Sequence, residues 1–177
     1  MNLKNLEMLQ LAFNLFNGPL PTSLANLKNM VILDLSHNFL LGQIPANIGE
    51  MDRLVQIRLN NNVGGDLFGF SGPIPASIGL LNNLVRLDLH KNRLTGTLPR
   101  QLGFLNNLRI YNIEDNEGLV GTVPEEYQNL PNLEEFLISG TAISGVVPGG
   151  LCEREPVIEV SCVEDLGIVC SCCTCAE

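Results

Sequence analysis

The chain has no tryptophan and only two tyrosines and seven phenylalanines in 177 residues, so its core must be assembled from leucine, isoleucine and valine. Charge is also sparse, at 16% of residues against 45% hydrophobic, which is not the composition of a disordered chain. Basic residues are the scarcer sign: ten Lys and Arg against nineteen Asp and Glu give a net charge of −9. That balance argues against a phosphate-binding surface and hence against nucleic-acid partners. No apolar run approaches the roughly 18 residues needed to cross a bilayer, and the start MNLKNLEMLQ lacks the basic-then-apolar order of a signal peptide. Cysteine is missing from the first 151 residues and then occurs six times. The charge is uneven too: nine of the ten basic residues fall in 1–113 and thirteen of the nineteen acidic ones in 114–177. We read the acidic half as a solvated surface.

What is present is a period. Asn14, Asn38 and Asn62 are 24 residues apart, Asn92 follows after 30, and Asn116 after another 24. Around each asparagine the same frame recurs. Leu33 and Leu35 precede Asn38, and Leu40, Gly42, Ile44 and Pro45 follow it; Leu87, Leu89, Leu94, Gly96, Leu98 and Pro99 stand likewise around Asn92. Between one proline and the next strand, apolar residues recur every third position, as in Ile78, Leu81, Leu84 and Leu87. Period two in L-x-L predicts a short strand, and period three predicts a loose 3-10 turn. One such coil cannot bury its own leucines. Stacked coils can, with their strands about 4.8 Å apart in a parallel sheet. The asparagines are expected to be structural, each amide bonding backbone groups of its own and the adjoining coil where the chain turns.

The unit L-x-x-L-x-x-L-x-L-x-x-N-x-L-x-G-x-I-P resembles the plant-type leucine-rich repeat family, six times over, across about residues 3–151. The resemblance implies an α/β repeat solenoid: a curved, right-handed superhelix with a parallel β-sheet on the concave face and 3-10 turns and loops on the convex side. It also implies binding rather than catalysis, since plant-type members serve as receptor ectodomains and as inhibitors of enzymes that degrade cell-wall polysaccharides, such as polygalacturonase. Members usually begin with a cysteine-containing cap. Here the leucine rhythm starts at Leu3, so the chain is expected to be part of a longer one.

Three departures stand out. The fifth unit has one extra residue, and the sixth carries Thr141 in place of its asparagine. Six residues are inserted after Asn62, within 63–71, where Leu67, Phe68 and Phe70 make a glycine-rich loop apolar. These side chains are expected to fold over the neighbouring coil, the alternative being an exposed contact loop.

The six cysteines, Cys152, Cys162, Cys170, Cys172, Cys173 and Cys175, follow the repeats, and 152–177 reads as a cysteine-rich C-terminal cap. Within it VIEVSC continues the rhythm as a seventh strand, with Cys162 facing inward. Four thiols crowd CSCCTC, whereas zinc sites draw cysteine pairs from separate loops, so disulfides are favoured over metal. An even count points to an oxidising compartment, outside the cell or on its surface. The tail is similar to the terminal cysteine clusters of leucine-rich repeat proteins from diatoms and related algae.

No glycine-rich phosphate loop, H-E-x-x-H, G-x-S-x-G or kinase motif occurs. His90 shares its strand with Asp88, but Ser36, the nearest serine on that face, is two strands off, about 9.6 Å. A nucleophile and its base must touch, so no enzyme and no cofactor are expected. What remains is the strand face, whose outward columns do not repeat chemically: Gln10, Asp34, Arg58, Asp88, Asn112, Leu137 in one and Ala12, Ser36, Asn60, His90, Glu114, Ser139 in the next. Arg58 is expected between Asp34 and Asp88, and His90 beside Glu114. A protein or peptide ligand is expected to centre on Arg58, Arg86, Asp88, His90, Asn112 and Glu114, with Phe68 as a side wall. The alternatives are a surface protein binding polysaccharide or ice, which calls for like residues down a column, and metal binding by the tail.

Overall fold

A computed structural model of the chain describes residues 3–64, 68–153, 156–160, 168–169 and 171–175. Each coil runs from a short strand through an asparagine turn into a second strand, then a 3-10 turn, and back. The first strands form a parallel sheet of eight among the described residues: Met8–Gln10, Ile32–Asp34, Gln56–Arg58, Arg86–Asp88, Ile110–Asn112, Glu135–Leu137, Val157–Val160 and Cys173–Cys175. The second strands form a parallel sheet of six, from Asn17–Pro19 to Ala142–Ile143. Five 3-10 turns, from Thr22–Asn26 to Glu125–Asn129, close the coils on the remaining side. This is the solenoid the period implies.

The core lies between the sheets and the turns. Leu33, Ile57, Leu87, Tyr111, Phe136 and Ile158, one from each of six successive strands of the larger sheet, are fully buried. In the fifth and sixth coils aromatics replace leucine: Tyr111 stacks on Phe136 at 5.3 Å, and Tyr127 meets both edge-on while its hydroxyl donates to the Pro99 carbonyl. Burial pushes both phenols well above their ordinary pKa. The 3-10 turns stack so closely that a Cβ on Gly49 would lie 2.2 Å from the Ser77 carbonyl oxygen.

The asparagine turns hold consecutive coils together. Asn92 Nδ2 donates to Leu89 O of its own coil at 2.9 Å and to Leu59 O of the preceding one at 3.0 Å, while its Oδ1 accepts from Phe70 N at 2.9 Å. Asn38, Asn62 and Asn116 make the same bonds one coil apart, and Asn14 bonds only within its own coil. Thr141 Oγ1 donates to Ile138 O and accepts from Ile143 N, both within its own coil. The residue before each asparagine is left-handed: Phe13, His37, Asn61, Lys91 and Asp115 have φ between 51° and 58°. Four of these are neither glycine nor asparagine, and each such turn costs about 1–2 kcal/mol that the bonded amide beside it offsets.

The second sheet has one stagger throughout: Gly18 pairs with Leu40, Gly42 with Phe70, Gly72 with Leu94, Gly96 with Leu119 and Gly121 with Ile143. The insertion does not disturb it. Phe70 takes the buried leucine position of Gly69–Gly72, and Phe68 packs edge-on against Phe39 at 5.5 Å. Leu67 lies outside the described residues.

At the C-terminal end Val157–Val160 pairs with Glu135–Leu137 as the expected seventh strand. Cys173–Cys175 adds an eighth that the rhythm did not announce, and Ile168–Val169 pairs with Gly145–Val146. Cys152 is bonded to Cys172, and Cys173 is also disulfide-bonded. Cys162, Cys170 and the Cys175 side chain lie outside the described residues. Among the described residues no helix is long and apolar enough to cross a membrane, and no group of three His, Cys, Asp or Glu is arranged to hold a metal ion.

Candidate functional site

The parallel register of the larger sheet aligns Gln10, Asp34, Arg58, Asp88, Asn112, Leu137 and Glu159 in one column across seven strands. Two residues on, where each strand bends into its turn, stand Ser36, His90 and Glu114. The bend lets a side chain cap its own turn. Asp34 Oδ1 accepts from Ser36 N at 3.1 Å and Ser36 Oγ at 2.6 Å, Asn112 Oδ1 accepts from Glu114 N at 3.0 Å, and Asp88 Oδ1 meets His90 Nδ1 at 2.6 Å. Asp34, Asp88 and Asn112 are accordingly buried.

The other oxygen of each aspartate holds an arginine. Arg58 Nη1 reaches Asp34 Oδ2 at 3.4 Å, and Arg86 Nη2 reaches Asp88 Oδ2 at 3.0 Å. Both arginine side chains keep about a third of their surface exposed, 36% and 31%. His90 lies opposite Glu114 in the register, Lys91 N donating to Glu114 O, but its imidazole turns elsewhere. Its Nδ1 faces Asp88 and its Nε2 faces Asn61 Nδ2 at 3.0 Å, because the i, i+2 neighbour on the bending strand is closer than the next strand. Glu114 instead accepts from Ser139 Oγ and from Asn112 Nδ2. Burial opposes ionisation of Asp88, but hydrogen bonds from His90 and Arg86, and their charges, hold its carboxyl below the ordinary value.

Arg58, Arg86, His90 and Glu114 thus form the half-exposed part of the predicted set, resting on buried Asp88 and Asn112. Phe68 stands apart from this face, against Phe39 beyond the turn. A second series of asparagines went unnoticed in the sequence reading. Asn29, Asn83, Asn107 and Asn132, just before the strands, donate to Lys4 O, Asp52 O, Asn82 O and Asn106 O of the preceding coils at 2.7–2.9 Å. Their spacing was the available signal: 24 and 25 residues separate the last three.

The Leucine Rich Repeat family matches residues 5–27, 29–51 and 83–105. The BIR3–SERK2 complex from Arabidopsis thaliana contains a chain 32% identical to this one, covering 77% of this chain and 69% of that one, with a TM-score of 0.64. This chain belongs to the plant-type leucine-rich repeat family. The Arabidopsis receptor kinase HAESA, in complex with the peptide hormone IDA and a co-receptor, is 29% identical over 94% of this chain and 27% of its own, at a TM-score of 0.80. A plant ice-binding protein is 28% identical over 87% of this leucine-rich repeat chain and 46% of its own, at 0.73. The chain spans only about a fifth to a quarter of the first receptor structures it matches, 19–27%. No curated protein matches it by sequence.

Proposed function

We propose that this leucine-rich repeat chain is a protein- or peptide-binding module that uses the outward face of its eight-stranded sheet, outside the cell or on its surface. The observation that carries the reading is the chemistry of that face. Arg58, Arg86, His90 and Glu114 together present guanidinium, imidazole and carboxylate groups, and each is fixed by a buried partner rather than left free. Such pre-ordered polar groups lower the entropy cost of recognition. The similarity to peptide-hormone receptor ectodomains supports the ligand class, and the Cys152–Cys172 disulfide supports the compartment. We take residues 1–151 as the repeats and 152–177 as their cap.

Binding rather than catalysis is supported by the imidazole. In an acid–histidine–nucleophile arrangement Nε2 faces the nucleophile, and here Asn61 occupies that nitrogen.

The test is a peptide-display selection against the intact chain. Enriched peptides should bind Arg58→Ala with Glu114→Ala at least tenfold more weakly, and bind Arg100→Ala, on the 3-10 side, unchanged. Selected peptides indifferent to the first pair would contradict the assignment.

A second reading, recognition of a periodic lattice, is supported by the similarity to a plant ice-binding protein. The eight-stranded sheet does not suit it, because its columns change chemistry at every coil. The second sheet comes nearer to it from the third coil onward, where its outward x positions are uncharged and small.

A further inference from the structure

Each second strand runs L-x-G-x-I-P or a close variant, with the apolar residues buried from the second coil onward and the two x positions facing out. Over six coils none of these twelve x positions is charged, and the one charged residue within the second strands, the exposed Arg93, stands at a strand start beside Ser71 rather than among them. From the third coil onward they are small. Ser71, Thr95, Val120 and Ser144 precede the glycine, and Pro73, Thr97, Thr122 and Val146 follow it. Val120 is 44% exposed, and the paired Val146 and Val169 are 66% and 62% exposed, so exposed apolar side chains recur on this side in the fifth and sixth coils and the cap.

The side chains are also held still. The methyl carbons of Thr97 and Thr122 lie 3.0 Å from where a Cβ on Gly121 or Gly145 would stand, and that of Thr95 lies 2.7 Å from the corresponding point on Gly118. Each threonine therefore covers a glycine of the next coil, which fixes its χ1 and the attitude of its hydroxyl. Those three hydroxyls have no protein partner among the described residues. With one stagger repeated at every step, the face is a stiff array of methyl and hydroxyl groups about 4.8 Å apart along the solenoid.

Resting on the second reading above, we propose that the outward face of the second sheet, centred on Thr95, Thr97, Val120 and Thr122, is a binding face for ice. A protein partner would need bulky anchors such as Trp, Tyr or Arg, and these x positions hold none. A sugar ring would need an aromatic platform, which is also missing from them. An ordered water lattice needs neither. It needs a rigid repeat, hydroxyls to complete its hydrogen bonds, methyls that do not compete for water, and no charge to gather a hydration shell of its own.

The test uses the intact chain in an ice-recrystallisation assay, with folding of each variant checked by its thermal midpoint. The chain should inhibit crystal growth. Thr97→Lys with Thr122→Lys should raise the concentration required at least tenfold, while the same two charges on the 3-10 side, Asn26→Lys with Asn129→Lys, should leave it unchanged. Inhibition that survives the threonine pair overturns this face and leaves the lattice reading standing. No inhibition by the intact chain overturns both.

Discussion

The two sheets are built from the same coils and share the same asparagine turns, yet they solve opposite problems. In the eight-stranded sheet the outward residues differ from strand to strand, and each is tied down individually: Asp34 by Ser36 and Arg58, Asp88 by His90 and Arg86, Glu114 by Ser139 and Asn112. In the second sheet the outward x residues are uncharged, small from the third coil onward, and tied down collectively, by packing on the glycines of the next coil. A varied face suits a partner that is itself varied, and a uniform face suits one that repeats. The period constrains what points inward and leaves the outward positions open to either use.

Breaking what the sheets share should have the largest effect. Asn92→Leu removes the bonds to Leu59 O and Leu89 O at the larger sheet and to Phe70 N at the second, leaving buried groups unmatched at about 1–3 kcal/mol each. A loss of about 3–5 kcal/mol is expected, read from the thermal midpoint by circular dichroism. Cys152→Ser comes next. It opens a link of sequence separation 20, a loop worth about 3 kcal/mol, and the loss should be confined to the cap. Amide exchange should accelerate in Cys173–Cys175 and not in Arg86–Asp88; equal acceleration in both would show that the cap and repeats unfold as one.

Asp88→Asn should cost about 1–3 kcal/mol, since it leaves His90 and Arg86 facing a neutral, buried amide. It should also change the pH profile. A carboxyl held below its unfolded value near 3.9 adds stability that is complete above that value and lost as pH falls through the folded one. The urea midpoint of the intact chain should therefore fall below about pH 4, and Asp88→Asn should flatten that part of the curve. Smallest of all, Thr97→Lys on the second sheet should change stability by no more than about 0.5 kcal/mol, because the side chain is exposed and caps no turn. A large loss there would mean that its packing on Gly121 is part of the fold rather than of the face.

The inward half of this molecule was legible and the outward half only in part. Period two at Leu33 and Leu35 and period three at Ile78, Leu81 and Leu84 fix which side chains are buried, and that rule carried as far as Val157–Val160. It stopped at Cys173–Cys175, where a strand is written in cysteines and threonine and carries no leucine to mark it. The left-handed residues were hidden for another reason. Phe13 and Lys91 have no preference for that conformation, and it is imposed by the amide bonds of the neighbouring asparagines. Column order placed His90 opposite Glu114, where its backbone lies, but could not say which group the imidazole would bond. The bend into the turn gave Asp88 the closer approach. The constant stagger of the second sheet depends on how coils lie on one another, which no single repeat encodes.

The division of labour between the sheets is tested most directly by the affinity of one display-selected peptide for two variants of the intact chain. The account predicts that Arg58→Ala with Glu114→Ala weakens binding at least tenfold while Thr97→Lys with Thr122→Lys leaves it unchanged. The reverse order of effects would contradict it.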